Sequence, residues 1–119
     1  MATIIETGHR INSRESGYQV YLRNKRRSDL PEAQDAARTV LFVHGAGFDH
    51  TVWTLPARYF ARRGLNVIAV DLPGRGLSGG AALTSIEAMA DWLCLLLDEL
   101  DIRQASVVGH SMGSLVALN

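Results

Sequence analysis

Three short, unbroken apolar runs punctuate the chain: TVLFVHG at 39–45, NVIAVD at 66–71 and ASVVGHS at 105–111. Runs without polar alternation are typical of strands buried on both faces, so they predict a parallel sheet covered by helices. The segments between them carry helix signals. One helix is expected over Leu55 to Arg63, stopped by Gly64. A second is expected to start at a cap near Thr84, with Glu87 three residues on completing a capping box. Its apolar positions Ile86, Met89, Ala90, Leu93, Leu96, Leu97 and Leu100 fall on one stripe, and Cys94 is expected to pack as an inert thiol in that apolar helix. A last helical stretch opens at Ser111 and runs to Asn119. Strand, helix, strand, helix, strand predicts an α/β fold with right-handed crossovers.

The first third has a different rhythm. Gln19 to Arg23 alternates and is rich in aromatic and β-branched residues, predicting a strand paired with an earlier one within Ile4 to Ile11. Turn residues NSRESG separate the two. Residues 24–38 are charged and Ala-rich with Pro31 in the middle, and predict a surface loop. The basic run Lys25-Arg26-Arg27 is followed at once by Asp29, Glu32 and Asp35, so it reads as part of that solvated loop.

Charge adds little to this picture. Twelve basic and twelve acidic residues cancel, so no global field favours nucleic acid or an acidic membrane surface. The longest strongly apolar run, Trp92 to Leu97, is far short of the roughly 20 residues that span a bilayer. The N-terminus has neither a basic start nor a long apolar core, and one cysteine cannot form an internal disulfide. The expectation is a cytoplasmic protein without nucleic-acid or membrane partners.

Three loops carry candidate chemistry. Gly109-His110-Ser111-Met112-Gly113 fits Gly-x-Ser-x-Gly between an apolar strand and a helix. Small flanking residues let a strained turn present the serine, and the helix start offers free N–H groups to a developing oxyanion. His44-Gly45-Ala46-Gly47 follows the first buried strand, and its glycines free the backbone to aim a second N–H into a cleft. His44 is expected to fix that loop by hydrogen bonds. Asp49 and His50 are explained as well by surface exposure as by substrate contact. His110 is expected to diverge from Ser111. The third loop, DLPGRGLSGG, contains Gly74-x-Gly76-x-x-Gly79, a formal match to a dinucleotide-binding fingerprint. Residues GAAL intervene before the next helix, however, and Asp71 and Pro73 would crowd a phosphate. Asp71 is expected to brace the loop, with Arg75 pairing with it or facing solvent.

Together and in this order, HGAGFDHTVW, DLPGRGLS and GHSMGSLVAL resemble the N-terminal half of α/β-hydrolase fold enzymes, in the esterase, lipase, C–C hydrolase and haloperoxidase branch. The resemblance runs from about Tyr18 onward. It implies Ser111 as nucleophile, Ala46 and Met112 as backbone oxyanion donors, and a small acyl or ester substrate cleaved without metal or organic cofactor. Around them His44, Gly45, Gly47, Gly109, His110 and Gly113 would shape the site. Phe48 and Trp53 would offer an apolar lining, although Trp53 fits a core position as well. Relatives that open epoxides or remove halides carry aspartate at the nucleophile position. The family's acid and base follow the serine, whereas eight residues, none acidic or histidine, follow Ser111 here. Residues 1–119 are therefore expected to be the N-terminal portion of a larger single domain of about 200–250 residues, inactive alone. They would comprise antiparallel first strands, then parallel strands with crossover helices, ending after the nucleophile turn. The strand at 105–109 would then be an exposed sheet edge, open to self-association. The alternatives are a non-catalytic fragment or interaction module and, more remotely, a nucleotide-binding module.

Overall fold

A computed structural model describes residues 4–12, 19–27 and 38–119. Five strands form one sheet in the order β1-β2-β4-β3-β5. Strands β1 (Ile4–Asn12) and β2 (Gln19–Arg27) form an antiparallel hairpin. β2 continues antiparallel onto β4 (Asn66–Val70), after which β3 (Thr39–Val43) pairs parallel with both β4 and β5 (Ser106–Gly109). The expected turn at NSRESG lies almost wholly outside the described residues, and so does most of the expected loop.

Two of the three apolar runs behave as their composition requires, whereas β5, last in the sheet order, alternates between exposed and half-buried positions instead of being buried on both faces, with Val108 exposed. All of β3 and β4 is buried, with successive side chains entering opposite layers. Val40, Phe42, Val67 and Ala69 pack with Trp53, Ala57 and Ala61 under helix α1 (Thr54–Arg62). Leu41, Val43, Ile68 and Val70 pack with Met89, Leu93 and Leu96 of helix α2 (Ile86–Glu99). Ala57 and Ala61, one turn apart, let α1 lie close on the sheet.

The direction of travel explains why the helices lie on opposite faces. From β3 the chain steps one way across the sheet to β4, then back past β3 to β5. A right-handed crossover that reverses direction must put its helix on the other face. The short helix α3 (Met112–Leu118) returns to the α2 layer, where Val116 joins the core.

Both long helices end in a Schellman closure. After α1, Gly64 has φ 89°, with Gly64 N–H donating to Ala61 O and Leu65 N–H to Phe60 O. After α2 the left-handed position is Asp101 (φ 57°), and Ile102 N–H reaches Leu97 O at 2.9 Å.

Four local expectations are corrected. β2 extends through Arg27, so residues 24–27 are strand rather than loop. Within it Lys25 is only 4% exposed, its ammonium donating to Thr54 O (3.1 Å) and paired with Glu6 (3.3 Å). Sheet pairing with β4 and a cross-strand carboxylate thus override the polar composition. The α2 cap is Ser85, whose Oγ accepts from Ala88 N–H at 3.1 Å; of two adjacent hydroxyls only one can sit three residues before that amide. Glu87 instead lies in the first helical turn, where a carboxylate meets the positive helix end. Cys94 is exposed, since one step beyond Leu93 turns it about 100° away from the buried stripe. α1 also begins one residue earlier than expected, led in by a 3₁₀ turn at His50–Trp53. Among the described residues, no helix is long and apolar enough to cross a membrane.

The α2 stripe makes a direct prediction. Leu93→Ala should cost about 2–5 kcal/mol by urea unfolding. Leu95→Ala, on the exposed side of the same turn, should stay within about 0.5 kcal/mol of the parent. Equal losses would show that the helix is not seated on Leu93.

Candidate active site

β3 and β5 are neighbours whose following segments leave toward opposite faces, α1 on one side and α3 on the other. Such a switch point opens a crevice at the carboxyl ends of the strands, where α/β proteins bind ligands. Two of the sequence motifs, HGAG after β3 and GHSMG after β5, lie there side by side.

Ser111 forms the turn between β5 and α3 with φ 55° and ψ −119°. A serine held in that region costs about 1–3 kcal/mol and persists only where the surroundings force it. Here the forcing is backbone contact. A Cβ on Gly109 would land on the carbonyl of Gly113, and a Cβ on Gly113 would land on the carbonyl of Val43. Both glycines are therefore needed for β5 and α3 to close onto each other and onto β3. The β3–β5 ladder continues past the strand end through His110 N–H to Val43 O (3.2 Å). Gly113 N–H donates to His110 O and Ser114 N–H to Ser111 O, each at 2.9 Å, locking the first turn of α3. Met112 supplies the first amide of that helix, a position with no intrahelical acceptor.

Opposite this turn, residues 45–48 form a β-turn closed by Phe48 N–H to Gly45 O (3.2 Å), with Gly47 at φ 78°. Ala46 and Gly47 are exposed at its tip. Gly45 is where the two loops touch: a Cβ there would sit 3.2 Å from both the Ser111 Cβ and His110 Nδ1. His44, fully buried, holds the base of the turn. Its Nδ1–H donates to Gly45 O (2.8 Å), and its Nε2 accepts from Leu72 N–H (3.1 Å), which fixes the tautomer. With both ring nitrogens engaged, His44 is a loop anchor. His110 is exposed, its ring edge-on to Phe48 (5.9 Å) and Trp53 (6.5 Å). Phe48 is half exposed beside it, whereas Trp53 is buried and stacked on Phe42 at 4.5 Å.

Asp71, just after β4, is the hub between the loops that follow β3 and β4. Fully buried, its carboxylate accepts from His50 N–H (2.7 Å), from His50 Nδ1–H (2.8 and 2.9 Å to its two oxygens) and from Leu77 N–H (2.8 Å). Its carbonyl accepts from Ser78 Oγ (2.7 Å). The expected brace is thus present, but its partner is His50 rather than Arg75. His50 is 4% exposed, not a surface residue. Pairing in space with an aspartate 21 positions away could not be read from local sequence. Asp49 caps the 3₁₀ turn; the Thr51 hydroxyl and amide donating to it hold its carboxyl below the usual carboxylate range.

The glycine loop 74–79 is folded on itself. Gly74 N–H donates to Gly79 O, Ser78 N–H to Arg75 O and Gly79 N–H to Gln19 O. Asp71's carboxylate lies where a Cβ of Gly76 would be, and α2 begins only at Ile86. Amides so committed, with a carboxylate beneath and no helix opening at the loop, do not form a pyrophosphate cradle. Asp91, Asp98 and Asp101 are exposed on or after α2. A cavity of about 480 Å³ lies elsewhere, with Thr39 and Asn66 at the starts of β3 and β4 in its lining, and none of the three loops contributes to it.

A mixed sheet with helices on both faces, a strained serine turn at its switch point and a glycine turn opposite define the first part of an α/β-hydrolase architecture. Sequence comparison agrees: the Alpha/beta hydrolase family matches residues 40–119, and the chain belongs to that family. It is 44% identical over 82 residues to the dihydrolipoyllysine-residue acetyltransferase component of an acetoin cleaving system from Cupriavidus necator, covering 68% of this chain and 22% of that protein. It is 37% identical over 101 residues to a pimeloyl-[acyl-carrier protein] methyl ester esterase from Neisseria meningitidis, covering 81% of this chain and 34% of the esterase. Among solved structures, a haloalkane dehalogenase loop variant from Bradyrhizobium elkanii superposes with a TM-score of 0.71 at 30% identity, covering 94% of this chain and 34% of that one. The chain thus spans about a third or less of the proteins it matches.

Asp71→Ala should leave two buried donors of His50 and the part-buried Leu77 amide without an acceptor and cost about 3–5 kcal/mol in urea unfolding. Asp49→Ala, which removes the partly exposed cap of the 3₁₀ turn, should cost about 1 kcal/mol. A loss at position 71 no larger than that at 49 would mean that the hub does not hold the loops.

Proposed function

We propose that these residues form the nucleophile and oxyanion half of a serine hydrolase that cleaves an ester, thioester or similar acyl bond. The reading rests above all on Ser111: a non-glycine residue held at φ 55° between two glycines that backbone contact makes obligatory. In this role its Oγ attacks the acyl carbonyl, the ester or thioester bond breaks to release the alcohol or thiol, and water later hydrolyses the acyl-enzyme to the acid and free serine. Met112 N–H, at the start of α3, and Ala46 N–H, at the tip of the facing turn, donate to the oxyanion. Phe48 and His110 border the acyl group, and Trp53 supports them from the core. Family membership supports hydrolase chemistry, and two of the named relatives act on acyl groups. Serine at the nucleophile position favours acyl transfer over the aspartate-dependent chemistry of dehalogenases and epoxide hydrolases.

In this reading neither the general base nor its orienting acid is supplied by the described residues. His44 has both ring nitrogens bonded, His50 is buried against Asp71, and Glu87, Asp91 and Asp98 of α2 are exposed. A fluorophosphonate probe should label Ser111 in the protein carrying its full reading frame, and Ser111→Ala should abolish labelling and esterase turnover. Labelling that survives Ser111→Ala would overturn the assignment.

A further inference from the structure

Two buried polar atoms near the loop after β3 have no hydrogen-bond partner among the described residues: His50 Nε2 and Trp53 Nε1. Buried groups of this kind are costly when left unpaired, and native proteins contain few of them. The two are not scattered. His50 and Trp53 line one small cavity, together with Arg23, Lys25, Thr54 and Ala69. Its volume is about 10 Å³, close to what a single water molecule requires.

The chemistry of the walls selects the occupant. An indole nitrogen can only donate. His50 Nδ1–H is committed to the Asp71 carboxylate, so Nε2 of the neutral ring can only accept. A species that accepts on one side and donates on the other satisfies both. A cation would face the indole N–H and the ammonium of Lys25; an anion would face the Nε2 lone pair and needs more room.

We propose that this cavity is a binding site for one structural water, which accepts from Trp53 Nε1–H and donates to His50 Nε2. The water closes a chain from Asp71 through His50 to Trp53, joining the loop after β4 to the aromatic core that stacks on Phe42 and meets the edge of His110. It also holds His50 in the Nδ1–H form. The site is independent of whether Ser111 is catalytic.

Crystals of the protein diffracting well enough to place solvent should show one fully occupied water about 2.7–3.2 Å from both nitrogens. In solution, the Trp53 indole proton should give a long-lived Overhauser contact to water, and ¹⁵N shifts of His50 should report a protonated Nδ1 and a bare Nε2. A protein acceptor on the indole N–H, a dry cavity, a chloride, or an Nε2–H tautomer would each overturn the proposal. Trp53→Phe keeps the stacked ring but removes the donor, so the water should be lost and the Nε2 shift should move. A fully ordered water retained in Trp53→Phe counts against it as well. Should that variant fail to fold, the measurements on the parent protein decide alone.

Discussion

The turn at Ser111 depends on two backbones touching where side chains are missing. Gly113 lies against the carbonyl of Val43, and Gly109 against that of Gly113, so β3, β5 and α3 meet at one point without a Cβ between them. This contact forces Ser111 into a positive φ and sets α3's first amide beside the turn. It also brings the loop after β3 within reach, since Gly45 is the place where that loop meets His110 and Ser111. Any larger residue at these glycines would push the layers apart and relax the serine into an ordinary conformation. The strain is therefore maintained by close packing.

A second constraint works from below. Asp71 follows β4 and gathers donors from two loops, and His44 adds a link from β3 to Leu72. The glycine loop that resembles a nucleotide fingerprint is shaped by this same carboxylate, which occupies the space under Gly76. Its glycines serve a bracing function. The upper ends of β3 and β4 are thus tied together by one buried carboxylate and two buried imidazoles, a rigid base for a site built on loops.

Most of the fold was legible because its signals are local and repeated. Continuous apolar runs marked β3 and β4, the 3.6-residue stripe marked α2, and Gly64 marked the end of α1. Errors clustered where a tertiary partner overrode a local cue. The charged start of the expected loop became strand because β4 and Glu6 offered it partners. Cys94 read as packed within its apolar helix and is exposed, because one position of rotation separates it from Leu93.

By itself, the sequence determined the succession of strands and helices, the glycine spacing around Ser111 and the presence of a serine where some relatives act differently. Those features depend on residue type and short-range period, which the chain carries in one dimension. The tertiary structure decided which of several polar residues became partners. His50 and Asp71 are separated by 20 residues and carry no mutual signal, yet they meet in the interior with their bonds nearly complete. Desolvation is the reason: a buried carboxylate must find its donors wherever the fold brings them, and sequence proximity has no part in that choice.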